Sequence, residues 1–235
     1  MTDLPDGADL HPKGKPRFLI DAREKDAHVW NRDKLDWYVE EPRATTALLA
    51  AEEFHGSVLD PACGGGNIVR GCLAAGLAAT GSDIMQRVPI DTPWFRGVSD
   101  FRFATLDPVD NIICNPPFFR AKGTEAFIRK ALTVARRKVA MFVSLPFLAG
   151  SQRARGLFYE HRPLRAWMVT PRVSCPPGEY IEAGGKIGGG TEDWVWLIWR
   201  PNAPQPIATQ FLWLEQYGLA ETALTRPGDV ERYAG

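Results

Sequence analysis

The most informative residues of this sequence are Asn115, Pro116, Pro117 and Phe118, which directly follow a short apolar run. An exocyclic amine is a poor nucleophile because its nitrogen lone pair is conjugated. Acceptors aimed at its hydrogens favour a pyramidal nitrogen, and the Asn115 side chain and the Pro116 carbonyl can supply two of them. The prolines make the loop rigid before a substrate binds, and Phe118 offers a flat face for stacking. These residues therefore predict a loop that presents a planar amino group for reaction.

A glycine-rich turn with the sequence DPACGGGN begins at Asp60 and connects an apolar run to a predicted helix. Glycines at Gly64 and Gly66 allow the backbone to approach a ligand closely. Asp83 ends the next strand candidate, where a carboxylate can accept hydrogen bonds from both hydroxyls of a ribose. The turn and the second acid together predict a nucleoside-binding site.

The composition of this turn also narrows the class of nucleotide ligand. The glycines are not followed by Lys and Ser or Thr, so the turn is not a phosphate-binding P-loop. Val69 stands where the third glycine of a dinucleotide-binding turn would fall. Asp60 favours a ligand with a positive amine and would repel a phosphate. A cofactor without a pyrophosphate therefore fits the turn better than a dinucleotide.

The elements that must position these residues alternate between strands and helices. Short apolar runs predict strands at residues 57–60, 111–114, 139–145, 166–170 and 195–199, and residues 78–83 are a further short strand candidate. Helical spacing predicts helices at residues 45–54, 67–75, 125–138 and 152–159. Such alternation indicates an α/β fold with a mainly parallel sheet, whose ligands bind beyond the carboxyl ends of the strands. Asp60, Asp83 and Asn115 all fall at such ends.

The stretch DPACGGGNI resembles the first motif of class I S-adenosylmethionine-dependent methyltransferases. The resemblance implies a Rossmann-like, mainly parallel seven-stranded sheet with helices on both faces, and S-adenosylmethionine as cofactor. It places Asp60 and the glycines against the methionine part, Asp83 on the ribose, Ile84 on the adenine ring, and Asp100 on the adenine amine. The predicted cofactor-binding residues are Trp37, Tyr38, Pro42, Asp60, Cys63, Gly64, Gly66, Asp83, Ile84, Asp100, Phe101 and Asn115.

The NPPF sequence resembles the NPPY/DPPY motif of methyltransferases that act on amino groups. That motif implies Asn115, Pro116, Pro117 and Phe118 as catalytic residues. The family includes DNA adenine-N6, RNA adenine-N6, RNA guanine-N2 and protein glutamine-N5 enzymes, and the same loop can present the cytosine N4 amine. Cytosine-C5 enzymes use a Pro-Cys nucleophile, which the Cys175-Pro176 order does not match.

Three further stretches resemble phage and prophage DNA adenine methyltransferases, and together they extend the resemblance over residues 36–200. Residues 36–42 resemble the segment that precedes the glycine turn, although Glu41 replaces the usual Thr. Residues 145–153 with 171–173, and the aromatic stretch 193–199, resemble later parts of the same enzymes. The predicted function is therefore N6 methylation of adenine in DNA. The alternatives are RNA, cytosine-N4 or glutamine-N5 methylation, or a non-catalytic module that binds nucleic acid.

Basic residues are candidates for contacts with nucleic acid. Lys plus Arg and Asp plus Glu both total 28, which argues against a strongly basic coat but leaves room for a local basic groove. The predicted contact residues are Arg120, Lys122, Arg153, Arg172 and Lys186. A second basic group, predicted to be solvated on a crossover helix, comprises Arg129, Lys130, Arg136, Arg137 and Lys138.

Three regions are predicted along the chain: a partly ordered arm at 1–35, a methyltransferase domain at 36–200, and a C-terminal extension at 201–235. Residues 171–193 are predicted as a loop insertion on the substrate side. The four cysteines lack CxxC spacing, so no metal site is expected. No apolar run approaches the roughly 20 residues of a membrane span, and the expected location is the cytoplasm.

Overall fold

Strands and helices alternate through the computed structural model, which describes residues 36–119, 122–185 and 192–215. The strands are β1 (Ser57–Asp60), β2 (Ala78–Asp83), β3 (Phe95–Val98), β4 (Val109–Cys114), β5 (Ala135–Ser144), β6 (Arg165–Thr170), β7 (Trp194–Trp199) and β8 (Gln210–Glu215). The helices are α1 (Pro42–Ala51), α2 (Asn67–Ala74), α3 (Lys122–Val134), α4 (Ser151–Arg155), α5 (Leu157–Glu160) and α6 (Gly178–Glu182), and Leu145–Ala149 forms a 3-10 turn.

The strands form one sheet in the order β3-β2-β1-β4-β5-β7-β6-β8. Strands β3, β2, β1, β4 and β5 are parallel, β7 runs antiparallel to β5 and β6, and β8 is parallel to β6. The order reverses between β1 and β4, and open α/β sheets bind ligands in the crevice beyond the carboxyl ends at that point. Asp60 and Asn115 lie there, and Asp83 lies at the end of the adjacent β2.

The predicted Rossmann-like α/β class is confirmed, but the predicted number of strands is wrong: the described residues form eight strands instead of seven. The sequence reading gave no bounds for β3 and β8. Strand β3 contains Gly97 and is only half-buried at the sheet edge, so it has no apolar run. Strand β8 pairs with β6 through six residue pairs, and it comes from the segment predicted as an extension.

Helices cover both faces of the sheet, as predicted. On one face, α1 and α2 contribute Leu48, Ile68 and Val69 to a core that also contains Phe142 and Trp196. On the other face, Phe127 and Ile128 of α3 pack with the alternate side chains of the same central strands. Those side chains include Ile112, Met141 and Leu197. Strands β5 and β7 are therefore buried on both sides, which explains their nearly continuous apolar sequences.

Three of the four predicted helices differ from the prediction by more than one residue. Helix α1 begins three residues earlier, at Pro42, because proline is well suited to the first position of a helix. The predicted helix 152–159 is two short helices that meet at Gly156. Helix α3 ends at Val134, so the predicted helix 125–138 is too long: its last residues, Arg136, Arg137 and Lys138, lie on β5, where Lys138 pairs with Asn111 of β4.

Glu52 anchors a buried ion-pair cluster that the sequence did not predict. Its carboxylate accepts hydrogen bonds from Lys138 Nζ and Arg165 Nη1, each at 2.7 Å, and from Trp167 Nε1 at 3.0 Å. The cluster ties the end of α1 to β5 and β6. Lys138 is therefore not one of the solvated cations that the helical reading predicted, since its ammonium lies against a buried carboxylate.

Glu52→Ala is expected to lower the free energy of unfolding by about 3 kcal/mol at neutral pH, because it leaves two cations without their shared carboxylate. Burial raises the pKa of Glu52, but the three hydrogen bonds outweigh it and hold the pKa below its ordinary value of 4.5. This stabilisation is therefore full above about pH 4.5 and is lost as pH falls through the lower folded-state pKa. Urea unfolding of both proteins at neutral and acid pH measures the difference.

The matched control is Glu53→Ala, which removes the adjacent glutamate, whose side chain is 89% exposed. We expect a change within about 0.5 kcal/mol at any pH. Equal stabilities of the Glu52→Ala and Glu53→Ala proteins at neutral pH would contradict the role assigned to the cluster.

No helix among the described residues has the length and apolar character needed to cross a membrane.

Candidate active site

The turn between β1 and α2 brings the first two predicted acids together. Gly64 donates a backbone hydrogen bond to Asp83 Oδ2 at 2.8 Å, and Cys63 donates one to the Ser82 carbonyl at 3.0 Å. Gly66 has a φ of 86°, and a Cβ at this position would lie 2.3 Å from the Trp94 ring. Glycine is therefore required there for both backbone conformation and space, and the turn stays close to the end of β2.

Asp83 is held by three donors. Gly64 N bonds Oδ2, while Met85 N (2.9 Å) and Arg87 Nη1 both bond Oδ1. The Arg87 guanidinium also lies 4.5 Å from the centre of the Trp37 ring. The sequence analysis did not select Arg87. Its position four residues after Asp83 was the one feature of the sequence that suggested an ion pair between them. One oxygen of Asp83, Oδ2, keeps acceptor capacity for a ligand hydroxyl.

The side-chain amide of Asn115 has a defined orientation. Asn115 Nδ2 donates to the Tyr38 carbonyl at 3.0 Å and to Glu40 Oε2 at 2.9 Å, with Cys175 Sγ at 3.6 Å. A carbonyl and a carboxylate attract the amide nitrogen and repel the amide oxygen. Among the described residues, none donates a hydrogen bond to Asn115 Oδ1, so this oxygen remains available as an acceptor.

The two phenylalanines after the prolines occupy different places. Phe118 packs against Tyr38 (5.9 Å between ring centres) and Trp194 (5.7 Å), outside the lining of the cavity described below. Phe119 lines that cavity, and its backbone N–H donates to the Asp36 carboxylate. Phe119 has a φ of 36°, a conformation that few residues other than glycine adopt. Phe119, which the sequence reading did not select, is therefore the ring available to a ligand.

A cavity that opens to solvent lies at the carboxyl edge of the sheet, with about 720 Å³ of space when its solvent-filled mouth is included. Ten of the twelve predicted cofactor-binding residues line it: Trp37, Tyr38, Asp60, Cys63, Gly64, Asp83, Ile84, Asp100, Phe101 and Asn115. Pro42 and Gly66 do not, because Pro42 begins α1 and Gly66 packs on Trp94. Of the predicted catalytic residues, Asn115 and Pro117 line it, whereas Pro116 and Phe118 do not. Lining residues that the sequence reading missed include Asp36, Glu40, Arg87, Arg102 and Phe119.

The wall near Asn115 is rich in buried acids. Burial raises the pKa of Glu40 to about 7, and the hydrogen bond from Asn115 acts against this rise. Burial, followed by the negative charge of Glu40, raises the pKa of Asp60 well above its usual range. A bound cationic group would stabilise the charged form of both carboxylates. The described residues contain no group of three or more His, Cys, Asp or Glu side chains that could hold a metal ion.

Asp100 and Arg102 form an ion pair in the lining of the cavity. The Arg102 guanidinium bonds Asp100 Oδ1 at 3.0 Å and Oδ2 at 2.6 Å, and these bonds lower the pKa of Asp100. The same guanidinium lies 5.3 Å from the Phe103 ring and 5.6 Å from the Phe119 ring. Phe103 is 80% exposed. An arginine flanked by two aromatic rings therefore stands beside the Asn115 loop.

The loop after β6 is hydrogen-bonded to the segment before α1, and that segment lines the cavity. Val39 N donates to the Pro176 carbonyl at 2.8 Å, and Gly178 N donates to the Trp37 carbonyl at 2.9 Å. Glu41, which stands where the resembling enzymes have Thr, accepts from Ser174 N at 2.6 Å and lies outside the cavity lining. The first part of the predicted 171–193 insertion is thus hydrogen-bonded to residues 37–41. Two residues of that segment, Tyr38 and Glu40, accept hydrogen bonds from the Asn115 side chain.

Comparison with solved structures identifies the fold. One match is a proposed RNA methyltransferase from Pyrococcus horikoshii, with a TM-score of 0.53 and 16% identity over 76% of this chain and 94% of that chain. Another is the modification subunit of a proposed type I restriction enzyme from Vibrio vulnificus YJ016, with a TM-score of 0.53 and 15% identity over 72% of this chain and 45% of that chain. This chain has a Rossmann-like methyltransferase fold.

These identities show the fold alone, and the chain spans less than half of the Vibrio subunit. A proposed class I S-adenosylmethionine-dependent methyltransferase from Listeria monocytogenes also matches, with a TM-score of 0.49 and 13% identity over 74% of this chain and 64% of that chain. The sequence matches no protein-family model and no curated protein.

The predicted nucleic-acid contacts differ in their surroundings. Lys122 is exposed at the start of α3, close in sequence to the Asn115 loop. Arg153 bonds the Phe147 carbonyl at 2.7 Å and lies 4.4 Å from the Phe147 ring centre. Arg172 is half-exposed and pairs with Asp193 at 2.7 Å. Arg120 and Lys186 lie outside the described residues. The role of all five residues in binding nucleic acid stays a prediction.

Proposed function

We propose that this protein transfers the methyl group of S-adenosylmethionine to the N6 amine of adenine in DNA. The main support is the orientation of Asn115, whose amide nitrogen is engaged by Tyr38 and Glu40 so that Oδ1 remains free as an acceptor at the cavity. An acceptor at this position can take a hydrogen bond from an exocyclic amine and favour a pyramidal nitrogen.

The cavity suits a cofactor that combines a cation, a ribose and a planar base. Buried Asp60 and Glu40 favour the cation, and Asp83 Oδ2 can accept from a ribose hydroxyl. Ile84 lines the cavity and is 42% exposed, so it offers an apolar surface to a flat ring. S-adenosylmethionine has all three groups, and when bound it supplies an activated methyl group.

In the proposed reaction, the residues of this chain align the substrate amine with the methyl group. The reaction requires no strong base. With S-adenosylmethionine bound beside Asn115, its methyl carbon would bond to the amine nitrogen as the bond from that carbon to sulfur breaks, and the sulfur would keep the electron pair. Asn115 Oδ1 accepts a hydrogen bond from the amine throughout. The nitrogen would then lose one proton to solvent water, since a positively charged nitrogen conjugated with the base is a strong acid. Alignment of this kind is the main contribution that a protein makes with such a cofactor.

A nucleobase is the planar acceptor that the surroundings favour. Phe119 lines the cavity beside Asn115, and Arg102 and exposed Phe103 continue the aromatic surface. Aromatic rings and arginine stack on bases with little dependence on sequence. The resemblance of the 36–42 and 193–199 segments to DNA adenine methyltransferases supports adenine in DNA.

RNA is the second candidate substrate, since one fold neighbour is a proposed RNA methyltransferase. Stacking on Phe119 and Phe103 does not distinguish a deoxyribose from a ribose. A base in a duplex must be flipped out at a cost of about a few kcal/mol, whereas a single strand avoids this cost. We therefore expect single-stranded DNA to be methylated at least as well as duplex DNA.

The test is mass spectrometry of nucleosides from DNA and RNA that have been incubated with the protein and labelled S-adenosylmethionine. We expect labelled N6-methyladenine from DNA. Labelled N4-methylcytosine, or label in RNA with none in DNA, would contradict the proposed substrate while preserving the proposed chemistry. Calorimetry is run in parallel, since absence of cofactor binding would instead indicate a non-catalytic module.

A further inference from the structure

A buried carboxylate lies directly behind the amide of Asn115. Glu40 is 6% exposed and precedes α1, and its Oε2 accepts from Asn115 Nδ2 at 2.9 Å. Its backbone carbonyl accepts from Asn67 Nδ2 at 3.0 Å, which anchors Glu40 to the start of α2. The scheme above uses this carboxylate only to favour the cation of the cofactor, and it assigns no role to the hydrogen bond between Glu40 and Asn115. Burying a carboxylate costs free energy, so a carboxylate buried beside Asn115 is a candidate for a functional role.

We propose that Glu40 is a positioning residue for methyl transfer: its carboxylate orients the Asn115 amide and strengthens Asn115 Oδ1 as an acceptor for the substrate amine. This inference rests on the proposed function. A hydrogen bond from the amide N–H to an ionised carboxylate is stronger than one to a neutral oxygen. It also polarises the amide, and hydrogen bonds in series strengthen one another in a medium of low dielectric constant. Negative charge on Glu40 therefore increases negative charge on Asn115 Oδ1.

The second bond of the amide nitrogen separates orientation from polarisation. The Tyr38 carbonyl accepts from Asn115 Nδ2 at 3.0 Å whether or not Glu40 is charged. Loss of the Glu40 charge should therefore leave the amide facing the same way but make its oxygen a weaker acceptor. Loss of the whole Glu40 side chain removes both the charge and one of the contacts that fix the amide.

Glu40 changes its charge close to neutral pH. Burial raises its pKa to about 7, while the Asn115 hydrogen bond and the positive charge of Arg70 act against that rise. The titratable or charged groups that face Glu40 are Asp60 of β1, Cys114 of β4, Cys175 of the 171–177 loop and Arg70 of α2. Burial raises the pKa of both thiols well above their usual range, so they are neutral near pH 7.

The sign of the pH dependence follows from these charges. A raised carboxyl pKa means that Glu40 is neutral below about pH 7 and charged above it. The strengthened acceptor is therefore present at the higher pH. We expect kcat/KM, which reports ionisations of the free enzyme, to rise between about pH 6 and about pH 8.

The experiment compares the wild-type protein with Glu40→Gln and Glu40→Leu. At about pH 8, kcat should fall about tenfold in Glu40→Gln and about 100-fold in Glu40→Leu, with the KM for DNA changed less than about twofold. The rise in kcat/KM through neutral pH should disappear in Glu40→Gln, which a purely structural role would not predict. Glu53→Gln, at an exposed site far from the cavity, is the matched control and should keep the wild-type profile.

A second readout does not depend on activity. In protein labelled with ¹⁵N-asparagine, the side-chain amide signals of Asn115 are identified by their loss in Asn115→Ala. They should shift with a midpoint near pH 7 in the wild-type protein and stay constant in Glu40→Gln. If the wild-type protein transfers no methyl group, the proposed function fails, and this titration alone decides whether Glu40 polarises Asn115. Wild-type kinetics in Glu40→Gln, or an Asn115 signal that titrates equally in both proteins, would overturn the inference.

Discussion

Asn115→Ala is expected to lower kcat for methyl transfer by about 10²–10³-fold while changing the Kd for S-adenosylmethionine by less than about threefold. Removing one preorganised hydrogen-bonding group from a reacting centre has effects of this size. The change removes Oδ1, which is free to accept from the substrate amine, and spares the contacts around Asp60 and Asp83. Single-turnover rates with labelled cofactor, together with calorimetry, measure the two effects separately.

The control is Asn202→Ala, since Asn202 is exposed and its amide donates to the Arg136 carbonyl at 3.0 Å, outside the cavity lining. It should keep the wild-type rate. Asn115→Asp should not restore activity, although the resembling DPPY motif has Asp at this position. A carboxylate there would face the Tyr38 carbonyl and Glu40 without a hydrogen to donate. Wild-type rates in Asn115→Ala would disprove the assigned role.

The backbone framework of the site was predictable because simple patterns define it. The apolar run that ends in Asp60 gave the bounds of β1, and the short strand candidate that ends in Asp83 gave those of β2. With the apolar run that ends before Asn115, they placed all three side chains at one edge of the sheet. Hydrophobic burial on both faces requires such runs in central strands. Edge strands need less burial, which is why β3 was missed.

The polar partners of these residues could not be predicted from the sequence. The contact between Glu40 and Asn115 joins residues 75 positions apart, and the Arg87 guanidinium lies against the ring of Trp37, a residue far away in the sequence. Spacing along the chain does not determine such contacts. The choice between Phe118 and Phe119 depends on the positive φ of Phe119, which reverses the local direction of the side chain. Two identical residues in succession give no indication of which side chain lines the cavity.

The second large effect concerns Asp83, whose replacement by Ala should weaken S-adenosylmethionine binding by about 100-fold. Hydrogen bonds to a charged group contribute about 1.5–3 kcal/mol each, and this carboxylate is the acceptor available to the ribose. The change also leaves Gly64 N and Arg87 without the acceptor that holds the two loops together. Both consequences act on cofactor binding, so the KM for DNA should change little at saturating cofactor.

Asp83→Asn separates these two consequences, because its amide oxygen can still accept from Gly64 N. We expect it to recover much of the thermal stability lost in Asp83→Ala but little of the affinity, since its NH₂ group faces Arg87 or the ribose hydroxyl as a competing donor. Asp91→Ala, at an exposed position shortly after Asp83, is the control and should bind like the wild-type protein. Calorimetry at one pH gives all four affinities. Unchanged binding in Asp83→Ala would mean that the cavity holds its ligand without this carboxylate, and the assigned cofactor orientation would then be wrong.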